Sequence, residues 1–288
     1  MLKVQRPTTA KTIISPSRLL LWVGVVLMVG FCLAPVLWQL LTSFKTNAAI
    51  ATIPTIYWPS WDQLTEAHYI GLGGEFLRYM GNSFFVSLIS TCVCLLVGAP
   101  AAYSLARLKI PGENIILALV LIVSLFPYVL LFLGLLEIVK AVGIGNNYLA
   151  LIIPYTAINL PLTILVLRSF FQQLPKDLED SAKMDGYNTV EMLQHIVLPM
   201  TIPALVTTGI LTFIFAWNEF IFALTFITRP EMQTIPVAVA KIGGASVFEI
   251  PYGPIAAATV LGTVPLVILV LLFQRRIVQG ITAGAVKG

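Results

Sequence analysis

Six apolar runs of about twenty residues or more, near 19–41, 83–105, 115–137, 148–170, 202–228 and 253–273, dominate this 288-residue sequence. A helix needs roughly 20 such residues to cross about 30 Å of hydrocarbon, where the backbone finds no partner but itself. The pattern predicts an all-α membrane protein of six transmembrane helices. Only 10% of the residues are charged, against roughly 25% in an average soluble domain, so water is not the main solvent. Prolines at positions 35, 100, 127, 154, 161 and 265 lie inside the runs and predict kinks whose freed carbonyls are satisfied by neighbouring helices.

An even number of spans puts both termini on one side. Lys and Arg number twelve on the face holding the termini and the 106–114 and 168–201 segments, against five on the other, which predicts cytoplasmic termini. The basic stretch 1–18 could open a secretory signal, but the following run is longer than a signal core and no small-residue cleavage site ends it. The expected organisation is a cytoplasmic tail at 1–18, a six-helix domain at 19–273 with an inward loop at 171–200, and a cytoplasmic tail at 274–288.

That inward loop reads as two short helices. Pro175 suits a first turn, Asp177, Glu179 and Asp180 favour a helix start, and Gly186 can supply the left-handed residue that ends the helix. Asn188 followed by Glu191 has capping-box spacing for a second helix ending near Pro199. Leu178 and Ala182, then Val190, Leu193 and Val197, give each helix one apolar side. An amphipathic loop lying on lipid is one reading, but the acidic excess of the first helix would be repelled by anionic headgroups. A docking surface for a cytoplasmic protein fits better.

Several chemistries are excluded. The +4 charge is dispersed along span flanks and does not gather into a nucleic-acid-binding face. Cys32, Cys92 and Cys94 all lie in apolar runs, and the Cys92/Cys94 pair has no His, Asp or Glu nearby to complete a metal set. No lysine follows a glycine anywhere in the chain, so a phosphate-binding loop is absent. His68 and His195 sit far apart without a matched acid or nucleophile.

The residues Glu179-Asp180-Ser181-Ala182, then Asp185-Gly186, then nine residues to Ile196-Val197-Leu198-Pro199 resemble the EAA loop of ABC importer permeases. Asp180 stands where that family has Glu, and Ser181 where it has the first Ala. Further landmarks run in order along the chain: Thr42-Ser43-Phe44-Lys45, Ala101 to Arg107, Phe126-Pro127, Trp217-Asn218-Glu219-Phe220, Thr234-Ile235-Pro236, and the ending Gly280 to Gly288. Together they are similar to the carbohydrate permeases of the MalG type. The resemblance implies a bacterial cytoplasmic membrane complex of this subunit, a second similar permease, two ATPase subunits that bind ATP and Mg, and an external solute-binding protein. It implies no cofactor in this chain and no covalent catalysis by it. It makes 175–185 the coupling helix, Gly186 the turn, Pro199 the entry to span five, and Thr282 to Gly288 a tail reaching toward the ATPases.

An ionisable residue within a span is costly and faces a cavity or a partner. Glu219, with Trp217 and Asn218 before it, could line the solute path, or could make a helix-to-helix hydrogen bond that positions span five; Tyr155 and Asn159 are candidates of the same sort. The maltose relatives take most sugar contacts from the companion permease. The outer segment 42–82, with Trp58, Trp61, Pro54 and Pro59, reads equally as a chain resting at the membrane interface or as a patch for the binding protein. An ion-coupled secondary transporter would carry more intramembrane acids and an evident repeat. A membrane enzyme or channel would need a convergent acid-base set or a polar pore helix, and neither is visible. The solute expected is a sugar or sugar-like molecule, with glycerol phosphate or another small polar solute as the alternative.

Overall fold

The computed structural model describes residues 16–244 and 250–285; the start of the 1–18 tail and the last residues of the Thr282 to Gly288 tail lie outside the described residues. The described residues form helices joined by turns and loops, with one isolated bridge between Lys45 and Leu64. The helices are α1 Pro16–Phe44, α2 Asn47–Ala51, α3 Ala67–Arg107, α4 Glu113–Leu125, α5 Phe132–Val142, α6 Leu149–Gln173, α7 Lys176–Met184, α8 Thr189–Met200, α9 Ile202–Asn218, α10 Ile221–Phe226, α11 Ile235–Gly243 and α12 Tyr252–Ala285. Helices α1, α3, α6 and α12 are long and apolar enough to cross a membrane. Two bent pairs, α4 with α5 and α8 with α9, raise the possible count to six.

The apolar runs and the helices differ in informative ways. The second run begins at 83, but α3 begins at Ala67, because Glu75, Arg78 and four glycines between 67 and 82 hide a helical extension from a hydropathy window. Gly73, at φ 59°, kinks it. The third run is broken by 87° at Phe126-Pro127. Proline has no N–H to donate and pushes the preceding residue out of the helical region; Phe126 accordingly sits at φ −72°, ψ 133°. The fifth run stops at Asn218 and restarts at Ile221, with Glu219 extended between them. Prolines 35, 100, 154, 161 and 265 stay within continuous helix, so proline alone does not decide where a span breaks.

Helix α3 is the central post, packed against α6, α9 and α12. Its approach to α6 depends on Gly98: a Cβ there would stand 2.7 Å from Thr163 Cγ2. Small residues at such crossings let helices close on each other where no hydrophobic force drives them together. Gly98→Ala is expected to lower the melting temperature of the purified assembly, at a cost of about 1–3 kcal/mol for overpacking. Adding Thr163→Ser, which deletes Cγ2, should recover most of the loss; no recovery would mean the crossing is not the source.

Candidate functional site

The 171–200 loop is built by chain breaks at both ends. Leu174, held extended before Pro175, ends α6. Helix α7 then carries Asp177 and Glu179 in its first turn and Lys183 in its last, the arrangement that complements the helix dipole. Gly186, at φ 88°, closes it. Tyr187 N–H donates to Ala182 O at 3.0 Å and Gly186 N–H to Lys183 O at 3.1 Å, the paired bonds of a Schellman stop. Asn188 Oδ1 accepts from Val190 and Glu191 N–H, each at 3.0 Å, while Glu191 Oε2 accepts from Asn188 N–H at 2.9 Å. The expected capping box is therefore complete.

Helix α8 contains a π turn over Leu193–Val197. Pro199 cannot donate a main-chain hydrogen bond, and a widened turn before it is one way to accommodate that loss. The 80° corner into α9 falls at Thr201, two residues beyond Pro199. Thr201 Oγ1 donates to Val197 O at 2.8 Å and ties the corner down.

Helix α7 has two dissimilar faces. Glu179 and Ala182 are buried, 8% and 2% exposed. Asp177, Asp180, Ser181, Lys183, Asp185 and Met184 are exposed, and Tyr187 and Val190 continue that surface toward α8. On the buried face Arg107, the last residue of α3, brings Nε to 2.9 Å from Glu179 Oε1 and donates from a terminal nitrogen to Leu174 O. Tyr103 lies beneath, edge-on to Phe171 with ring centres 6.0 Å apart. Ala182, Met192, Leu193 and Val197 complete one apolar cluster with Leu167 and Phe171, and Ile196 and Leu198 pack at its margin. A buried acid on an otherwise solvated helix is thereby paired, as burial requires. The sequence reading missed Arg107 as its partner. The spacing signals only that Glu179 shares the buried face of Ala182, three residues on; it does not point to Arg107.

The path candidates separate into three places. Tyr155 Oη donates to Glu219 Oε2 at 2.6 Å, Glu219 accepts from Phe222 and Ala223 N–H at 3.0 and 3.2 Å, and Asn159 Nδ2 donates to Tyr155 O at 2.8 Å. Glu219 thus caps α10 and joins it to α6, with its carboxylate buried. Trp217 faces elsewhere, its Nε1–H donating to Gly262 O of α12 at 3.1 Å. Asn218 is exposed and bonds back to Ile214 O at 2.8 Å. Beside the first group lies a cavity of 630 Å³ at the α4/α5 break, lined by Phe126, Tyr128, Asn159 and Phe215 among others. Tyr155→Phe should destabilise the assembly by about 1–3 kcal/mol, the cost of stranding a buried hydrogen-bonding partner. An altered solute preference without loss of stability would instead place Tyr155 in the path.

The family described as binding-protein-dependent transport system inner membrane component matches residues 95–283, a stretch that holds the end of α3, all of α6, the whole loop, the Glu219 break and most of α12. The chain belongs to this family. Among relatives of the binding-protein-dependent permeases, it is 40% identical to the trehalose transport system permease protein SugB of Mycobacterium tuberculosis, over 91% of this chain and 95% of that one. It is 39% identical to the trehalose/maltose transport system permease protein MalG of Thermococcus litoralis, over 94% and 97%. It is 40% identical to the sulfoquinovosyl glycerol transport system permease protein SmoH of Agrobacterium fabrum, over 89% of each. In fold it resembles a chain of a bacterial ABC transporter that imports alginate, with a TM-score of 0.73 over 94% of this chain and 99% of that one, at 21% identity. The family is one of transport permeases, and this member is a membrane-embedded, helical one.

Proposed function

We propose that this chain is one of two permease subunits through which an ABC importer passes a sugar or sugar-like solute into the cell. Its termini and the 171–200 loop face the cytoplasm, where two ATPase subunits bind ATP and Mg and dock on the loop; a solute-binding protein delivers cargo outside. The observation that carries this reading is the two-faced α7, locked to the membrane helices through Glu179 and Ala182 while Asp177, Asp180, Ser181, Met184 and Asp185 are exposed. A helix so fastened transmits a push as a rigid body. Gly186, Ile196, Leu198 and Pro199 shape the turn, the packing margin and the exit of that loop. The cargo class rests on the sugar-transport relatives, with aromatic and amide groups at the α4/α5 cavity suited to sugar faces and hydroxyls. In this proposal the exposed Asn218 meets solute and the largely buried Asn159 borders the cavity, while Trp217, Tyr155 and Glu219 hold the surrounding helices in place.

The test is ATP hydrolysis by the co-expressed complex in liposomes, with binding protein outside and neutral sugars, glucosides and glycerol phosphate compared. Stimulation by a sugar supports the proposal. Stimulation by glycerol phosphate alone would move the cargo to the alternative class, and uptake that follows an imposed ion gradient without ATP would overturn the coupling scheme.

A further inference from the structure

Lys45 is 2% exposed and lies at the end of the molecule opposite the 171–200 loop, since α3 runs from there back to Arg107. Its Nζ donates to Ile56 O and stands 4.2 Å from the centre of the Trp38 ring. Among the described residues no carboxylate lies within ion-pair distance of it. Buried charges are ordinarily paired, because desolvation penalises the ion heavily. Burial correspondingly pushes the Lys45 ammonium below its ordinary pKa. An ammonium has three N–H donors, and the carbonyl takes one.

A cavity of 340 Å³ adjoins it, walled by Lys45, Gln39, Thr42, Thr55 and Tyr252 with Trp38 at one side. The side chains of Gln39, Thr42, Thr55 and Tyr252 all carry donors, among the described residues none of these side chains has a hydrogen-bond partner, and no acid lines the space, to which Thr55 and Tyr252 present exposed side chains. One cation, two hydroxyls, an amide and a phenol around an acid-free hollow form a site for an oxyanion. Its surroundings name the source. Helix α1 is exposed from Leu19 to Trp38 and, its small residues apart, apolar there. The adjoining segment exposes Ile53, Tyr57, Trp58 and Trp61, at 93%, 67%, 90% and 91%, and such aromatics gather at headgroup level.

We propose that this cavity binds the phosphate of an anionic phospholipid headgroup, in the leaflet opposite the 171–200 loop, with Lys45 as its counter-ion and Thr42, Thr55 and Tyr252 as further donors. The lipid would fix the outer end of α1 against the start of α12.

The assembled, detergent-purified complex can be titrated with phosphatidylglycerol and bound lipid counted by native mass spectrometry. Lys45→Gln should weaken retention of the tightest lipid about tenfold or more, the loss of one charge-assisted bond. Because a buried lysine variant can fail to assemble, the pair Thr42→Val and Thr55→Val, which keeps the charge, should also weaken retention severalfold. Competition by inorganic phosphate alone at equal strength would assign the site to a soluble anion and overturn the lipid. Unchanged retention in both variants, with Lys45 instead crosslinking to an acidic residue of another subunit, would overturn the site.

Discussion

Arg107→Ala is expected to abolish solute-stimulated ATP hydrolysis while the complex still assembles with its ATPases. The substitution leaves Glu179 buried without its counter-charge and Leu174 O without its donor. Breaking one partner of a buried ion pair costs about 3–5 kcal/mol, enough to shift the position of α7 by two to three orders of magnitude in population. The control is Arg107→Met with Glu179→Met. Replacing both charges by apolar side chains of similar reach is often close to neutral, so the double variant should recover stimulation that the single variant lost. Stimulation that survives Arg107→Ala, or that the double variant fails to recover although the complex is stable, would remove the clamp from the transmission route.

Gly186→Val should uncouple the complex by a different physical route. A Cβ at this position meets nothing within 4 Å, so crowding is not the cause. The cost is backbone strain, about 1–3 kcal/mol for a branched residue held at φ 88°, and the local relief is to unwind the Schellman stop and swing Tyr187 and Asn188 away. Gly186→Asn, which tolerates the left-handed region, should retain most transport, and Gly186→Val little, with membrane helices assembled in both. Equal activities would show that the turn is not strained by substitution and that coupling does not depend on it.

How much of this was legible beforehand differs from element to element, and for physical reasons. The Gly186 stop and the Asn188 capping box were readable because they are local, with every partner inside five residues. The apolar runs were readable because lipid punishes any other pattern. The break at Glu219 was not, because the groups that satisfy it come from Tyr155, sixty-four positions earlier, as well as from the next turn. The same distance hid Arg107 from Glu179. The α3 extension at 67–82 was hidden because Glu75, Arg78 and four glycines dilute its hydropathy. Of the path candidates, sequence placed Trp217, Asn218 and Glu219 together because they are consecutive, yet successive residues of a helix face different ways and the chain leaves the helix at Glu219, so the three meet different environments.

The Arg107 clamp bears on how such a chain is made. Its acceptor at Leu174 lies 67 residues further along, so neither partner exists when α3 first leaves the ribosome. Until α6 has entered the membrane and its end has emerged, the arginine must wait at the boundary in water. Closing the clamp therefore requires that the end of α6 and the start of α7 come to the same face as the end of α3.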